Sequence, residues 1–328
     1  MSGTAAVRPV TVLTAGGTIA MSGEDGVTPA LDGDALVAAV PGLGGLPGLT
    51  VRSLLNSSSS ALTTAQALLI ARSACEAAAE GRGVVVTHGT DTLEEVAYLC
   101  DLVYDGDAPI VFTGAMRAAS APSADGPANL LDAALVASAG ECAGLGVLVA
   151  FAGELHAARG VRKTDSTALI AFSSPKLGAL GRIEEGRLRL DRTVVRAPVV
   201  RAAHLDSRVP ILPAALGDDG LLVDCAVEAS ADGIVAVALG AGHLPPPFLD
   251  ALRRADERVP VVATVRPKRG AILRGTYAFV GSERDLREGR IIAAGGLSSA
   301  AARIKLLACL GAGYDRAQIA GCFVLDDH

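Results

Sequence analysis

Short apolar runs rich in Val, Ile and Leu recur at residues 10–14, 49–54, 84–87, 110–113 and 146–151, each bounded by glycine, proline or polar residues. Runs this short between turn signals predict strands buried on both faces, as in a parallel sheet. Between them, residues 63–80, 92–102 and 127–139 carry apolar positions at helical spacing, and the last stretch has Pro127 in its first turn. A proline is tolerated there because that N–H has no helical partner. The alternation of strand and helix predicts a mostly parallel sheet flanked by helices on both faces.

From 178 to 192 the pattern changes to glycine-rich and charged pieces, and 193–207 has no clear period. Alternation then resumes, with strands near 209–213, 234–239 and 261–265 and helices near 248–255 and 299–310. The expectation is an α/β protein with a larger N-terminal domain over 1–190, a connection at 191–207 and a smaller C-terminal α/β domain over 208–328. A chain of 328 residues is long enough for two cores. No internal repeat is visible.

Half of the residues are apolar but only 3% are aromatic and Trp is absent, so the core must be built from Ala, Val, Leu and Ile. The formal charge of −6, without a Lys/Arg cluster, argues against a nucleic-acid or anionic-membrane surface and leaves a small molecule as the expected partner. The apolar stretch 133–153 is broken by Gly140, Glu141, Gly144 and Gly146, so no membrane span is expected. Residues 1–9 lack the charged start and apolar centre of an export signal, and the six cysteines are scattered, mostly in apolar runs. Both observations predict a reduced cytoplasmic setting with buried, unpaired thiols. No histidine stands in a metal-binding spacing, so neither a metal nor a cofactor is expected.

In open parallel sheets, ligands bind beyond the carboxyl ends of the strands. After the first run comes Thr14-Ala15-Gly16-Gly17-Thr18-Ile19-Ala20, where two glycines allow close backbone approach and Thr18 offers a hydroxyl. After the third comes Thr87-His88-Gly89-Thr90-Asp91-Thr92, leading into a helix whose Thr92 and Glu95 have capping-box spacing. Unpaired N–H groups at that helix start suit a carboxylate or an oxyanion, and Asp91 could hold an ammonium, so the two loops together fit a zwitterionic amino acid. Each motif alone is more often only a tight turn or a helix cap.

Taken in order with Thr113-Gly114-Ala115-Met116-Arg117, Ser123-Ala124-Asp125-Gly126-Pro127-Ala128-Asn129-Leu130 and Arg162-Lys163-Thr164, these segments resemble the bacterial L-asparaginase and glutaminase-asparaginase family. The resemblance implies hydrolysis of L-asparagine to L-aspartate and ammonia through an acyl-enzyme on Thr18, with Thr90, Asp91 and Lys163 as a second catalytic set. It implies substrate contacts from Ser59, or Ser60 if the register of Ser57–Ser60 shifts by one, and from Thr90, Asp91 and Ala115. It also implies an oxyanion hole from backbone N–H groups near Thr18 and Thr90. His243, in Gly240-Ala241-Gly242-His243, takes the place of a family asparagine, and Glu283 matches an acidic residue lent across a subunit interface to the substrate amine. A homodimer or homotetramer with sites near its interfaces follows from that resemblance.

One departure bears on mechanism. Family members carry a tyrosine on the loop after the first motif, whereas residues 21–33 contain none; Val27 falls near its place, and Glu24 and Asp25 are the acidic residues of the same loop. The alternatives are an amidohydrolase preferring glutamine, which differs from asparagine by a single methylene, and a non-catalytic amino-acid sensor on the same scaffold. The asparaginase-like subunit of a tRNA-dependent amidotransferase, which has an extra N-terminal domain, is not expected. A Rossmann enzyme, a G-x-S-x-G hydrolase and a Walker A nucleotide hydrolase are excluded by the absence of their motifs in context.

Overall fold

Five apolar runs of the N-terminal half become parallel neighbours in one sheet. The computed structural model describes residues 7–22, 28–29 and 33–326, and the chain divides between Val199 and Val200 into two units. The first contains β1 (Val10–Gly16), a short pair β2 (Met21–Ser22) and β3 (Thr28–Pro29), α1 (Gly33–Ala38), β4 (Thr50–Ser57), α2 (Thr64–Ala79), β5 (Gly83–Thr87), α3 (Leu93–Val103) and β6 (Ile110–Thr113). It continues with α4 (Gly126–Ser138), β7 (Val147–Phe151), β8 (Glu154–Ala157), β9 (Arg162–Lys163), β10 (Phe172–Ser173), β11 (Gly181–Glu184) and β12 (Arg187–Leu190).

The main sheet has the order β12-β11-β8-β7-β6-β5-β1-β4. From β7 to β4 all pairings are parallel, and from β7 outward to β12 they are antiparallel. Strands β1, β5, β6 and β7 are buried along their whole length. Alternate residues on one face, Val10, Val12, Val85, Val111 and Leu148, join a core with Leu36 and with Leu130, Ala133 and Ala137 of α4. The opposite face meets α2 and α3. Small residues on α4 let it lie close to the sheet, and each fully buried Val or Leu stabilises the fold by roughly 1.5–3 kcal/mol. The helices begin where local chemistry ends a turn; Thr63 and Gln66 form a reciprocal capping box at α2.

The run 49–54 departs from the expected buried strand. As β4 it is the sheet's edge, paired only with β1, and half its residues face outward. The charged segment 178–192 contains a hairpin, β11 and β12, that extends the sheet through β8. Glu185 and Gly186 both have positive φ at its turn, and Arg187-Leu188-Arg189-Leu190 alternates exposed and half-buried positions.

The second unit has β13 (Ile211–Pro213), α5 (Leu221–Glu228), β14 (Ile234–Ala238), α6 (Pro246–Asp256), β15 (Val261–Val265), α7 (Glu283–Arg287), β16 (Ile292–Ala293), α8 (Ser299–Gly311) and α9 (Arg316–Phe323). Its four strands form a parallel sheet in the order β13-β14-β15-β16. The protein is therefore a two-domain α/β fold, a large domain with a mixed, mostly parallel sheet and a smaller one with a parallel sheet. All six thiols are free, but only Cys100, Cys142 and Cys309 are buried; Cys75 and Cys322 are half-buried and Cys225, on the outer face of α5, is exposed. Among the described residues no helix is long and apolar enough to cross a membrane.

Candidate active site

Because β4, β1, β5 and β6 are parallel neighbours, the loops after them emerge at one end of the sheet. The connections run outward in opposite directions from β1 and β5, which makes the gap between these two strands the switch point of the sheet. Thr18 follows β1, Ser59 follows β4, Thr90 follows β5 and Ala115 follows β6. Residues spread over about a hundred positions of sequence thus converge on one edge.

Two glycines set how closely the loops approach. Gly17 has φ +91°, and a Cβ placed on it would fall 2.4 Å from Gly89 N. A Cβ on Gly89 would fall 2.6 Å from Ser59 Oγ. A side chain on either glycine would collide, so the β1 and β5 loops are in direct backbone contact and the β5 loop packs on the Ser59 side chain. Thr18 and Thr90 each lie one residue past that point; Thr18 opens a 3-10 turn and is half-buried, and Thr90 is buried. Ser59 is also buried, whereas Ser60 is exposed and hydrogen-bonds Ser58 at 3.0 Å. The geometry brings Ser59 rather than Ser60 against the β5 loop.

Lys163 arrives from β9, far along the chain. Its Nζ donates to Thr90 Oγ1 at 2.9 Å and to Asp91 Oδ1 at 3.0 Å. The lysine side chain is 19% exposed and Asp91 58%, so the ammonium is the more sheltered partner of the pair. An ammonium against a threonine hydroxyl stabilises developing negative charge on that oxygen. The expected capping box at α3 does not form: the Thr92 hydroxyl caps nothing on its own helix and instead donates to Ser59 O at 3.0 Å. Tertiary contact has taken the hydroxyl that local spacing assigned to the helix, and it ties the β4 loop to the start of α3.

Sequence reasoning gave no role to three residues that shape this edge. His88 is fully buried and its Nδ1 lies 2.8 Å from Gly89 O, which requires a proton on Nδ1. Burial pushes its pKa down from 6.5 to about 4, against a smaller upward pull from that hydrogen bond. The imidazole is therefore neutral and braces the turn. Asp125 accepts from the N–H groups of Met116 and Arg117, and Asn129 Nδ2 donates to Gly114 O at 3.0 Å while Asn129 Oδ1 accepts from Ala152 N at 3.0 Å. The available signals were their spacing, i and i+4 at the entry of α4, and their place in the 123–130 segment that carries the family resemblance. Together they hold the loop that carries Ala115.

His243 and Glu283 lie in the second unit and near each other. Glu283 is fully buried at the start of α7; its Oε1 accepts from Tyr277 N at 2.7 Å and its Oε2 lies 3.4 Å from His243 Nε2. Tyr277 and Phe279 meet the His243 ring edge-on, with centroids at 4.9 and 5.0 Å. Burial pushes the Glu283 carboxyl up, but the N–H groups of Tyr277, Glu283 and Thr276, helped by His243, hold it below its ordinary value. Glu24, Asp25 and Val27 lie outside the described residues. Among the described residues no group of His, Cys, Asp and Glu is arranged to hold a metal.

Comparison with known proteins bears on the family and the fold. Residues 9–196 match the family model "Asparaginase, N-terminal", and residues 208–323 match "Glutaminase/Asparaginase C-terminal domain". A protein of Deinococcus radiodurans named "Probable L-asparaginase" is 38% identical over 315 residues, 94% of each chain. One of Haemophilus influenzae named "Probable L-asparaginase periplasmic" is 34% identical over 310 residues, 90% of this chain and 87% of that one. The crystal structure of the probable cytoplasmic L-asparaginase from Campylobacter jejuni superposes with a TM-score of 0.86 at 33% identity, covering 97% of this chain and 99% of the other. The two family models, the relatives matched over most of their length and the shared two-domain architecture place the chain in the asparaginase family of amidohydrolases.

Proposed function

We propose that this protein hydrolyses L-asparagine to L-aspartate and ammonia with the Thr18 hydroxyl as nucleophile. The observation that carries the reading is the Lys163 ammonium bonded to both Thr90 Oγ1 and Asp91 Oδ1, on the loop in backbone contact with the one that bears Thr18. Thr18 Oγ attacks the side-chain amide carbon, the C–N bond breaks, and the amide nitrogen leaves as ammonia with the hydroxyl proton. Water then attacks the Thr18 ester, positioned and polarised by Thr90 with Lys163 and Asp91, and aspartate is released. N–H groups near Thr18 and Thr90 face the developing oxyanion, where each donor is typically worth ~2.7–4 kcal/mol. Ser59 takes the α-carboxylate, Asp91 the α-ammonium, and Ala115 lines the amide end.

His243 reaches a neighbouring subunit's site, while Glu283, buried behind it in its own unit, supports that imidazole rather than the substrate amine, so the working unit is a dimer within a homotetramer. Residues 191–207 serve as the connection between the domains, and the protein works in the cytoplasm. Ammonia release from L-asparagine, L-glutamine and D-asparagine, repeated with Thr18→Ala, tests the reading. Fast release from L-asparagine that vanishes in the variant is the expected result. No release from any amide, with asparagine still bound by calorimetry, would favour an amino-acid sensor instead.

A further inference from the structure

We propose that Glu94 is a positioning residue for this hydrolysis, its carboxylate gripping the Lys163 main-chain N–H and thereby fixing where the Lys163 ammonium meets Thr90 and Asp91. The inference rests on the reaction assigned above, and it concerns a residue that touches none of the reacting atoms. Lys163 N donates to Glu94 Oε2 in a short hydrogen bond. Glu94 lies in the first turn of α3, directly after the Thr90-Asp91-Thr92 loop. The chain path is thus closed on itself: α3 holds the backbone of β9 through Glu94, and β9 returns its Lys163 side chain to the loop that starts α3.

Strand β9 needs such a tie. It has two residues and a single partner, β10, through the pairs Phe172–Lys163 and Ser173–Arg162. Thr164 N–H turns toward Ala171 O at 2.7 Å, so Lys163 N–H, one residue earlier, faces away from β10. Without Glu94 that donor would have no acceptor in the ladder, and a short ribbon alone defines its register weakly. A lysine side chain has four rotatable bonds, so directing Nζ to two acceptors at once requires a fixed Cα.

Glu94 is also unlike an ordinary acidic residue in a helix's first turn. Such residues interact with the helix dipole from an exposed position, whereas Glu94, like Glu95 beside it, is half-buried. Burial pushes its carboxyl above its ordinary value, with Glu95 adding to the rise, and the Lys163 N–H and the charges of Arg162 and Lys163 offset that only in part. Placing a carboxylate where burial opposes its charge is accounted for by the backbone donor it meets.

The test compares Glu94→Ala and Glu94→Gln with the unmodified chain, reading kcat and KM for ammonia release from L-asparagine together with hydrogen exchange of the Lys163 amide. Glu94→Ala should lower kcat by about 10- to 100-fold with KM within about twofold, because displacing a catalytic group by an ångström costs up to ~10²-fold. Glu94→Gln keeps an acceptor oxygen and should recover kcat to within about fivefold. The Lys163 amide should exchange at least about tenfold faster in Glu94→Ala alone. Unchanged kcat in Glu94→Ala, or losses as deep in Glu94→Gln, would overturn the proposal. If Glu94→Ala does not fold, the unmodified chain decides, since a Lys163 amide exchanging as fast as an exposed loop excludes the grip. Should the unmodified chain release no ammonia, the assigned reaction falls, while the exchange measurement still judges the contact.

Discussion

Two clusters in this molecule each set a nitrogen base beside a carboxylate, and they do so under opposite conditions. In the first unit, Lys163 is half-buried while Asp91 is largely exposed, and two of the lysine's three ammonium hydrogens go to a hydroxyl and a carboxylate at 2.9 and 3.0 Å. In the second unit it is the acid, Glu283, that is fully buried, while His243 is partly open and 3.4 Å away. The Lys163 cluster directs positive charge at a hydroxyl oxygen. The Glu283 cluster keeps a carboxylate ionised inside the protein, mainly through backbone N–H groups. The first arrangement sets positive charge against a threonine hydroxyl; the second holds a buried negative charge.

The largest effects should come from the first cluster. Thr18→Ala and Thr90→Val should each reduce ammonia release by at least about 10³-fold while far-UV circular dichroism stays unchanged, because both residues sit on strand-end loops. Full activity in either variant would remove that threonine from the mechanism. Lys163→Met should cost on the order of 10²–10⁴-fold in kcat. Its product of charge and position is tested by added alkylamines, which should restore part of the rate if the ammonium is what Thr90 needs.

Next in size is an acid-stability effect from the brace behind that cluster. Folded His88 stays neutral down to about pH 4, whereas in the unfolded chain it takes up a proton near its ordinary value of 6.5. The unfolded state therefore binds the extra proton between those values, and stability is lost as pH falls from about 6.5 to about 4, by on the order of 3 kcal/mol. Urea unfolding at several pH values should show this slope, and His88→Gln should reduce it by about one proton. An unchanged slope in the variant would assign the acid sensitivity elsewhere. The smallest effect belongs to the second cluster: His243→Asn removes one of the influences holding the Glu283 carboxyl down, so its titration, followed by carbon NMR, should move to higher pH. A shift in the opposite direction would mean that the imidazole does not stabilise the carboxylate.

Much of the central sheet was legible because its strands are buried on both faces and read as unbroken apolar runs. Legibility failed where burial was one-sided. The 49–54 run was read with the others but lies at the edge, and its Thr50, Arg52 and Ser53 are the local sign of a strand that is not buried on both faces. Arg187-Leu188-Arg189-Leu190 behind Glu185-Gly186 does carry an alternating, turn-preceded signal, overshadowed by the charge of the segment. At the site, Gly16 and Gly17 stood out because close backbone approach restricts residue choice, and Thr18 because it offers a hydroxyl beside them. His88, Asp125, Asn129 and Glu94 did not, since a brace is defined by what it touches.

By itself, then, the sequence determined the alternation of elements, the glycine-threonine loops at the strand ends and, through several segments in order, the family. Those are matters of local period and of conformations only glycine can adopt. The tertiary structure decided which loops meet, that Ser59 rather than Ser60 faces them, that Thr92 bonds Ser59 and not its own helix, and that Lys163 reaches Thr90 across 73 positions. Strand order and register bring such residues together, and both follow from how all the faces pack at once.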